Sequence, residues 1–396
     1  MFRLLLAPLI TALLAVGTSE ANAASSATLR SQVEAALVGS TARSVAVAVD
    51  VEGLGAVDRR GSTTALPPAS TEKLFTAAAA LRLLGAGYRQ RTELRSVGQR
   101  YGALLRGDLY LVASGDPFLT SIQLDALARS FAASGIKTIS GHLVVDDTRY
   151  DRVRRGSGWK PEWVPEESGP LSAMAVDGNQ WRHDAAFLAD PATPALSKLR
   201  AYLARKGVQF TTADARRGPV LARAAVYASL ASAPLSTTLT KVLKGSDNFA
   251  GELVLKELGR GGRGVGSTSA GIQVLHEQTG SSGSVADGSG LSPYNRQTTA
   301  HELALLSGSF VDRKPKLPVA CKDGTLIHRF CGTVASGRVF AKTGTLDTSR
   351  ALAGWTYTRD GHLVTFAFLL SGFSSGSSAT KAIDRAVVVL AGATVS

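Results

Sequence analysis

The chain has 396 residues, with 44 Lys and Arg against 31 Asp and Glu, a formal charge of +13. At about 150 residues per domain this length suggests two or three domains and a sizeable core. The basic residues are dispersed rather than interleaved with aromatics, which excludes a nucleic-acid surface and suits an acidic polymer or an anionic substrate. No Cys or His cluster has metal-ligand spacing: His276-Glu277 and His301-Glu302 each lack a second His four positions on. Neither a metal nor another cofactor is expected.

Met1-Phe2-Arg3, an apolar run over residues 4–16 and the ending Ala21-Asn22-Ala23 read as a signal peptide over residues 1–23. The run is broken by Pro8 and is shorter than the ~20 residues a bilayer span needs. No later segment is long and apolar enough to span. Export from the cytoplasm, to a periplasm, the extracellular space or a cell wall, is therefore expected, with no membrane span after signal removal. Cys321 and Cys331 would then meet an oxidising compartment, where a disulfide is the expected state. A pair of buried free thiols stays open, because a separation of ten positions does not fix geometry.

Ser44 to Val51 reads SVAVAVDV and turns at residues 53–55 into Ala56-Val57, a hairpin. After Pro67-Pro68 a buried helix is expected over residues 71–84, with Ser70 at its N-terminus. Residues 88–235 change character. Short strand-like runs at 108–113 and 142–145, a helix over 122–133 and a Gly-, Pro- and Trp-rich loop at 156–169 suggest one or two inserted, mainly β modules. Helices return over 235–243 and 248–258, the second stopped by Gly259. Strands at 339–343, 351–358 and 362–370 form a meander, and a helix over 379–390 closes the chain. The early hairpin could complete that sheet, giving an α+β unit from residues 24–87 and 236–396.

A Ser-x-x-Lys tetrad on a helix puts hydroxyl and amine one turn apart on one face, so that a neutral Lys can take the Ser proton. Such tetrads include Ser70 to Lys73, Ser134 to Lys137 and Ser378 to Lys381. Ser70, at a predicted helix N-terminus, is followed in order by Ser246-Asp247-Asn248 at a helix start and Lys342-Thr343-Gly344 in a strand, the ordered signature of penicillin-binding proteins and β-lactamases. Two decoys fail in context. The glycine pattern at 259–264 follows a helix rather than a strand, and Ser374 in a G-x-S-x-G run has no His after it.

With PPASTEKLFTAAAAL, SGDP, VVDDTRYD, PLSAMAVDGN, SDNFAGELVLKELG, DGSGLS and KTGTL, the chain resembles the low-molecular-mass class C penicillin-binding proteins, D-alanyl-D-alanine carboxypeptidase/endopeptidases. The resemblance implies a penicillin-binding/β-lactamase-like serine transpeptidase fold with a large insertion. It also implies peptidoglycan stem peptides as substrate and β-lactams as covalent inhibitors. Ser70 would be the nucleophile, Lys73 its base and Ser246 the proton donor to the leaving amine. Asn248 would hold the substrate peptide group, and Lys342 and Thr343 its carboxylate, with Gly344 in the same strand. The N–H groups of Ser70 and Thr345 would form the oxyanion hole. Asp146 is a candidate contact to the diamino acid of the stem, a surface carboxylate being the other reading.

Two departures stand out. Pro293 follows DGSGLS where family members often have Arg, the nearest being Arg296. LPVACKDGTL carries Cys321 where the family has Gly. Two rivals remain: a β-lactamase-like hydrolase, although the Glu-x-x-Leu-Asn of class A enzymes is missing, and a non-catalytic wall-binding protein. The latter would be expected to have lost one of Ser70, Lys73, Ser246 or Lys342, and none is lost.

Overall fold

The computed structural model describes residues 24–182, 184–308 and 316–395. The expected signal peptide lies outside the described residues. Helix α1 (Ser26–Leu37) leads into the antiparallel hairpin of β1 (Ser44–Val51) and β2 (Gly55–Asp58). A 3-10 turn, Ala69–Thr71, runs directly into α2 (Glu72–Leu84).

Next come β3 (Arg91–Ser96), β4 (Gln99–Tyr101), β5 (Leu104–Arg106), β6 (Leu109–Val112), α3 (Ser121–Ala132), β7 (Thr138–Ile139) and β8 (Leu143–Asp146). The short helices α4 (Trp163–Glu166) and α5 (Ala185–Ala189), α6 (Ala192–Arg205), β9 (Gln209–Phe210), β10 (Ala215–Arg217) and β11 (Ala225–Ala231) complete this stretch. Four helices follow, α7 (Leu235–Gly245), α8 (Asn248–Arg263), α9 (Thr268–Thr279) and α10 (Thr299–Ser307). The chain closes with β12 (Phe340–Leu346), β13 (Ser349–Tyr357), β14 (Leu363–Ser371) and α11 (Gly376–Gly392).

The hairpin does join the meander: the sheet runs β12-β13-β14-β1-β2, all antiparallel. Its central strands are buried on both faces, which is why SVAVAVDV and LVTFAFLLS are nearly continuous apolar runs rather than strict alternations. One face packs on α1 and α11 and shares their core. The other covers α2, whose Leu74 and Phe75 are almost wholly enclosed, each stabilising by about 1.5–3 kcal/mol. Strands from residues 91–231 form two sheets of their own, β10-β8-β6-β3-β11 and β4-β5-β7-β9. Their core includes Phe249 and Leu253 of α8 and Leu291 of the DGSGLS segment.

Helix α8 does not stop at Gly259. It continues to Arg263 and ends on Gly264, whose φ of +73 makes the left-handed cap. Gly259 is a packing residue, because a Cβ there would lie 2.6 Å from the Val265 carbonyl and 2.8 Å from the Gly271 N of α9. Elsewhere in the chain, Ser134 falls in the turn after α3, while Ser378 and Lys381 sit on α11, where Lys381 borders a groove shared with α1.

Candidate active site

Ser70 sits where the chain turns from Pro68 into α2. Ala69, just before it, has φ 51, a conformation that costs a non-glycine residue about 1–3 kcal/mol. The DGSGLS segment lies hard against this turn. A Cβ on Gly290 would come within 1.9 Å of the Ala69 carbonyl oxygen, and its φ is +77, so only glycine fits. Thr71 adds a tie below: its hydroxyl lies 2.8 Å from the Pro68 carbonyl and 2.5 Å from Glu302 Oε1. The Thr71 hydroxyl donates toward both oxygens, sharing its one hydrogen between them. Burial pushes the Glu302 carboxyl up to about 8, against the bond from Thr71.

One helical turn after Ser70, Lys73 is completely buried. Its Nζ stands 3.0 Å from Ser70 Oγ, 2.8 Å from Asn248 Oδ1 and 2.5 Å from the Ser289 carbonyl. The identity of Asn248 Oδ1 follows from its partner Nδ2, which donates to the Glu167 carbonyl at 3.2 Å. A neutral amine has two N–H bonds and one lone pair. Two acceptor-only oxygens take the N–H bonds, and the lone pair is left for the hydroxyl of Ser70. Burial pushes the Lys73 amine down to about 8, against the pull of Asp287, Asp247, Glu252 and Glu167.

The opposite wall is built where two helices meet end to end. Ser246 caps the C-terminus of α7 with φ 56, Asp247 caps the N-terminus of α8 by accepting from Ala250 N, and Asn248 is the first residue of α8. Lys342 on β12 is likewise buried, and its Nζ donates to Ser246 Oγ at 2.8 Å and to the Thr343 carbonyl at 2.7 Å. Burial holds the Lys342 amine well below the usual lysine range, and the charge of Lys73 pushes the same way. β12 is an edge strand, so the stretch from Thr343 to Thr345 borders the opening without a strand partner on that side. Gly344 lets this edge approach the nucleophile turn, since a Cβ there would lie 2.5 Å from the Pro68 carbonyl.

Together these groups line a cleft of about 720 Å³. Ser70, Ser246, Asn248, Thr343 and Thr345 border it directly, and Trp163 of α4 forms part of the outer wall. Thr343 Oγ1 donates to Thr325 Oγ1 at 2.8 Å, on the loop that Cys321 and Cys331 tie by a disulfide.

Asp146 is not brought into this cleft. Its carboxylate is 7% exposed and is used inside its own region, accepting from Thr148 N, Thr148 Oγ1 and Val220 N. It borders a separate depression with Arg149 and Asp151, and its burial does not fit the surface carboxylate that was the other reading. Pro293 does line the cleft, whereas Arg296 folds back onto the carbonyls of Pro293 and Asn295.

Among the buried acids that escaped the sequence reading are Asp287, Glu252 and Glu302. Asp287 accepts from Trp159 Nε1, Asn295 Nδ2 and the backbone N–H groups of Gly290 and Ser292, each at 2.7 Å. Trp159 belongs to the 156–169 loop, so this contact pins that loop to the DGSGLS segment. Glu252 and Glu302 are interior to helical patterns, where acids usually face solvent. The run DGSGLS was a signal for Asp287, but no local signal marked the other two.

The three ordered motifs thus converge on one cleft, and the class they define is that of the penicillin-binding and β-lactamase-like active-site-serine proteins. Within that class the chain belongs to the D-Ala-D-Ala carboxypeptidase 3 (S13) family, which it matches over residues 26–187 and 183–394, and it is a class C penicillin-binding protein of low molecular mass. It is 31% identical over 416 residues to the D-alanyl-D-alanine carboxypeptidase of Actinomadura sp. (strain R39), covering 82% of this chain and 76% of that one. Its fold resembles penicillin binding protein 4 (dacB) from Haemophilus influenzae, with a TM-score of 0.78, 21% identity and coverage of 90% and 98%. A penicillin G-acylated predatory endopeptidase from Bdellovibrio bacteriovorus, in complex with an immunity protein, aligns with a TM-score of 0.56, 20% identity and coverage of 87% and 92%.

Proposed function

We propose that the chain is an exported bacterial hydrolase that cleaves D-alanyl-D-alanine peptide bonds of peptidoglycan stems, as carboxypeptidase, endopeptidase or both, and that penicillins acylate it at Ser70. The observation that carries this reading is the arrangement around Lys73. Two carbonyl oxygens occupy its N–H bonds and turn its lone pair toward the Ser70 hydroxyl.

Ser70 Oγ attacks the carbonyl carbon of the scissile amide as its proton passes to Lys73. The developing oxyanion is held by the N–H groups of Ser70 and Thr345, each donor worth about 3 kcal/mol in comparable sites. Ser246, hydrogen-bonded to Lys342, passes its proton to the departing amine nitrogen as the C–N bond breaks and is reprotonated by the proton that Lys73 took from Ser70. Asn248 orients the substrate peptide group. Lys342 and Thr343 bind the terminal carboxylate, whose charge compensates the buried amine. Water then cleaves the acyl-enzyme and regenerates Ser70. No metal or cofactor enters this scheme.

For the domain plan, we propose a catalytic unit of residues 24–87 and 236–396 interrupted by insert modules at 88–235, after a signal peptide at 1–23. The membership of the three sheets supports the interruption. An extracytoplasmic location is supported by the disulfide and by the family's wall substrate, and among the described residues no helix is long and apolar enough to cross a membrane. The test is digestion of purified wall fragments with product masses. Released D-Ala and cleaved cross-linked dimers are both counted in one run, and release of neither would overturn the proposal.

A further inference from the structure

Lys73 can aim its lone pair at Ser70 only while both carbonyl oxygens stay where they are. Asn248 is held by the start of α8, but the Ser289 carbonyl belongs to a loop. The structure shows what holds that loop. Glu252, one turn into α8 and wholly buried, accepts the backbone N–H groups of Gly288 at 2.7 Å and of Ser289 at 2.8 Å, both on its Oε1. Its other oxygen, Oε2, has no hydrogen-bond partner among the described residues. A buried carboxyl that leaves one oxygen unsatisfied and places the other on two consecutive amides costs desolvation, and the contact it makes fixes the peptide plane at Ser289. On the next peptide group, the Ser289 carbonyl lies 2.5 Å from Lys73 Nζ. Gly251, beside Glu252, faces the Lys73 side chain, with 3.4 Å from its ideal Cβ position to Lys73 Cε.

We infer that Glu252 is a positioning residue for acylation, which by gripping the Gly288 and Ser289 amides sets the Ser289 carbonyl as the acceptor that directs the Lys73 lone pair at Ser70. This rests on the assignment of Lys73 as the base. What matters in Glu252 is therefore the reach of its oxygen and not its charge. The charged groups acting on Lys73 include Asp247 and Glu252 of α8, Asp287 of the DGSGLS segment, Glu167 from the insert and Lys342 of β12.

Two substitutions separate reach from charge. Glu252→Gln keeps an oxygen at full length and is neutral at every pH; Glu252→Asp keeps an ionisable carboxyl, which burial pushes up to about 8 in Glu252, and withdraws the oxygen by one methylene. Rates of acylation by a fluorescent penicillin would be measured from pH 6 to 10 on the full chain, with Tm recorded for each protein. The expected result is that Glu252→Gln acylates within about threefold of wild type, while Glu252→Asp is slower by on the order of 10²-fold, as for an ångström-scale misplacement. The pH midpoint of Glu252→Asp should also fall, because its ammonium form loses an acceptor. The reverse order of the two variants, or a Glu252→Asp protein whose rate falls with an unmoved midpoint, would overturn the inference. A Lys73→Ala control that acylates normally would instead sink the assignment of the base, so the two failures are distinguishable.

Discussion

The cleft buries two lysines, and the two halves treat them differently. Lys73 lies among acids: Asp287, Asp247, Glu252 and Glu167 all pull its amine up, and burial still prevails, leaving it near 8. Lys342 is buried as completely, but burial and the charge of Lys73 both push its amine down. A base must exchange its proton near the working pH, and the acids around Lys73 keep it there. A carboxylate receptor gains from the opposite condition, since an amine that is uncomfortable alone is most stabilised by the arrival of an anion.

Removing the group that both halves serve has the largest effect. Ser70→Ala is expected to give no covalent adduct with a fluorescent penicillin while circular dichroism and Tm stay near wild type; an adduct at normal yield would place the nucleophile elsewhere. Next, Lys73→Ala should still bind penicillin but acylate slower by ~10²–10⁴-fold at saturation, the usual contribution of a positioned base. Lys342→Ala should differ in kind, weakening apparent affinity for carboxylate-bearing substrates by roughly 10–10²-fold, as the loss of a charge-assisted bond implies. If the two variants share one kinetic signature, the division of labour drawn here fails.

Smaller effects follow from pH. The neutral amine is the base, so wild-type acylation should rise with pH through about 8 and level off above it, with roughly a tenth of the plateau at pH 7. A flat profile between pH 6 and 9 would contradict a poised Lys73. The smallest effect concerns the floor of the site. The Glu302 carboxyl is raised to about 8, so the folded chain holds a proton there that the unfolded chain has released above about 4.5. Its contribution to stability is full below that lower value and is lost as pH rises to about 8. Tm should therefore decline less between pH 5 and pH 8 in Glu302→Gln than in wild type, and equal declines would show that Glu302 is ionised throughout.

Much of this comparison was legible before any coordinates. Ser70, Lys73, Ser246, Asn248 and Lys342 each sit in a motif whose spacing is local, a helical turn or a helix start or a strand, and local geometry is what sequence pattern encodes. The meander and hairpin were legible for the same reason. Gly259 was misread because a glycine late in a helical pattern looks like a stop, whereas here the close approach of α9 demands it. The setting of Asp146 was not legible because the fate of a carboxylate at a strand end depends on which backbone amides lie near it, here Thr148 and Val220, and the second is far along the chain.

The sequence by itself determined the order of the chemistry, the two elements that carry the lysines and the strands of the final sheet, because periodicity and motif spacing act over a few residues. Only the tertiary structure decided the protonation of those lysines, the grip of Glu252 on the Ser289 loop and the fixing of Trp159 to Asp287. Each depends on desolvation and on hydrogen bonds between segments remote in sequence, such as Lys73 and Ser289, 216 positions apart.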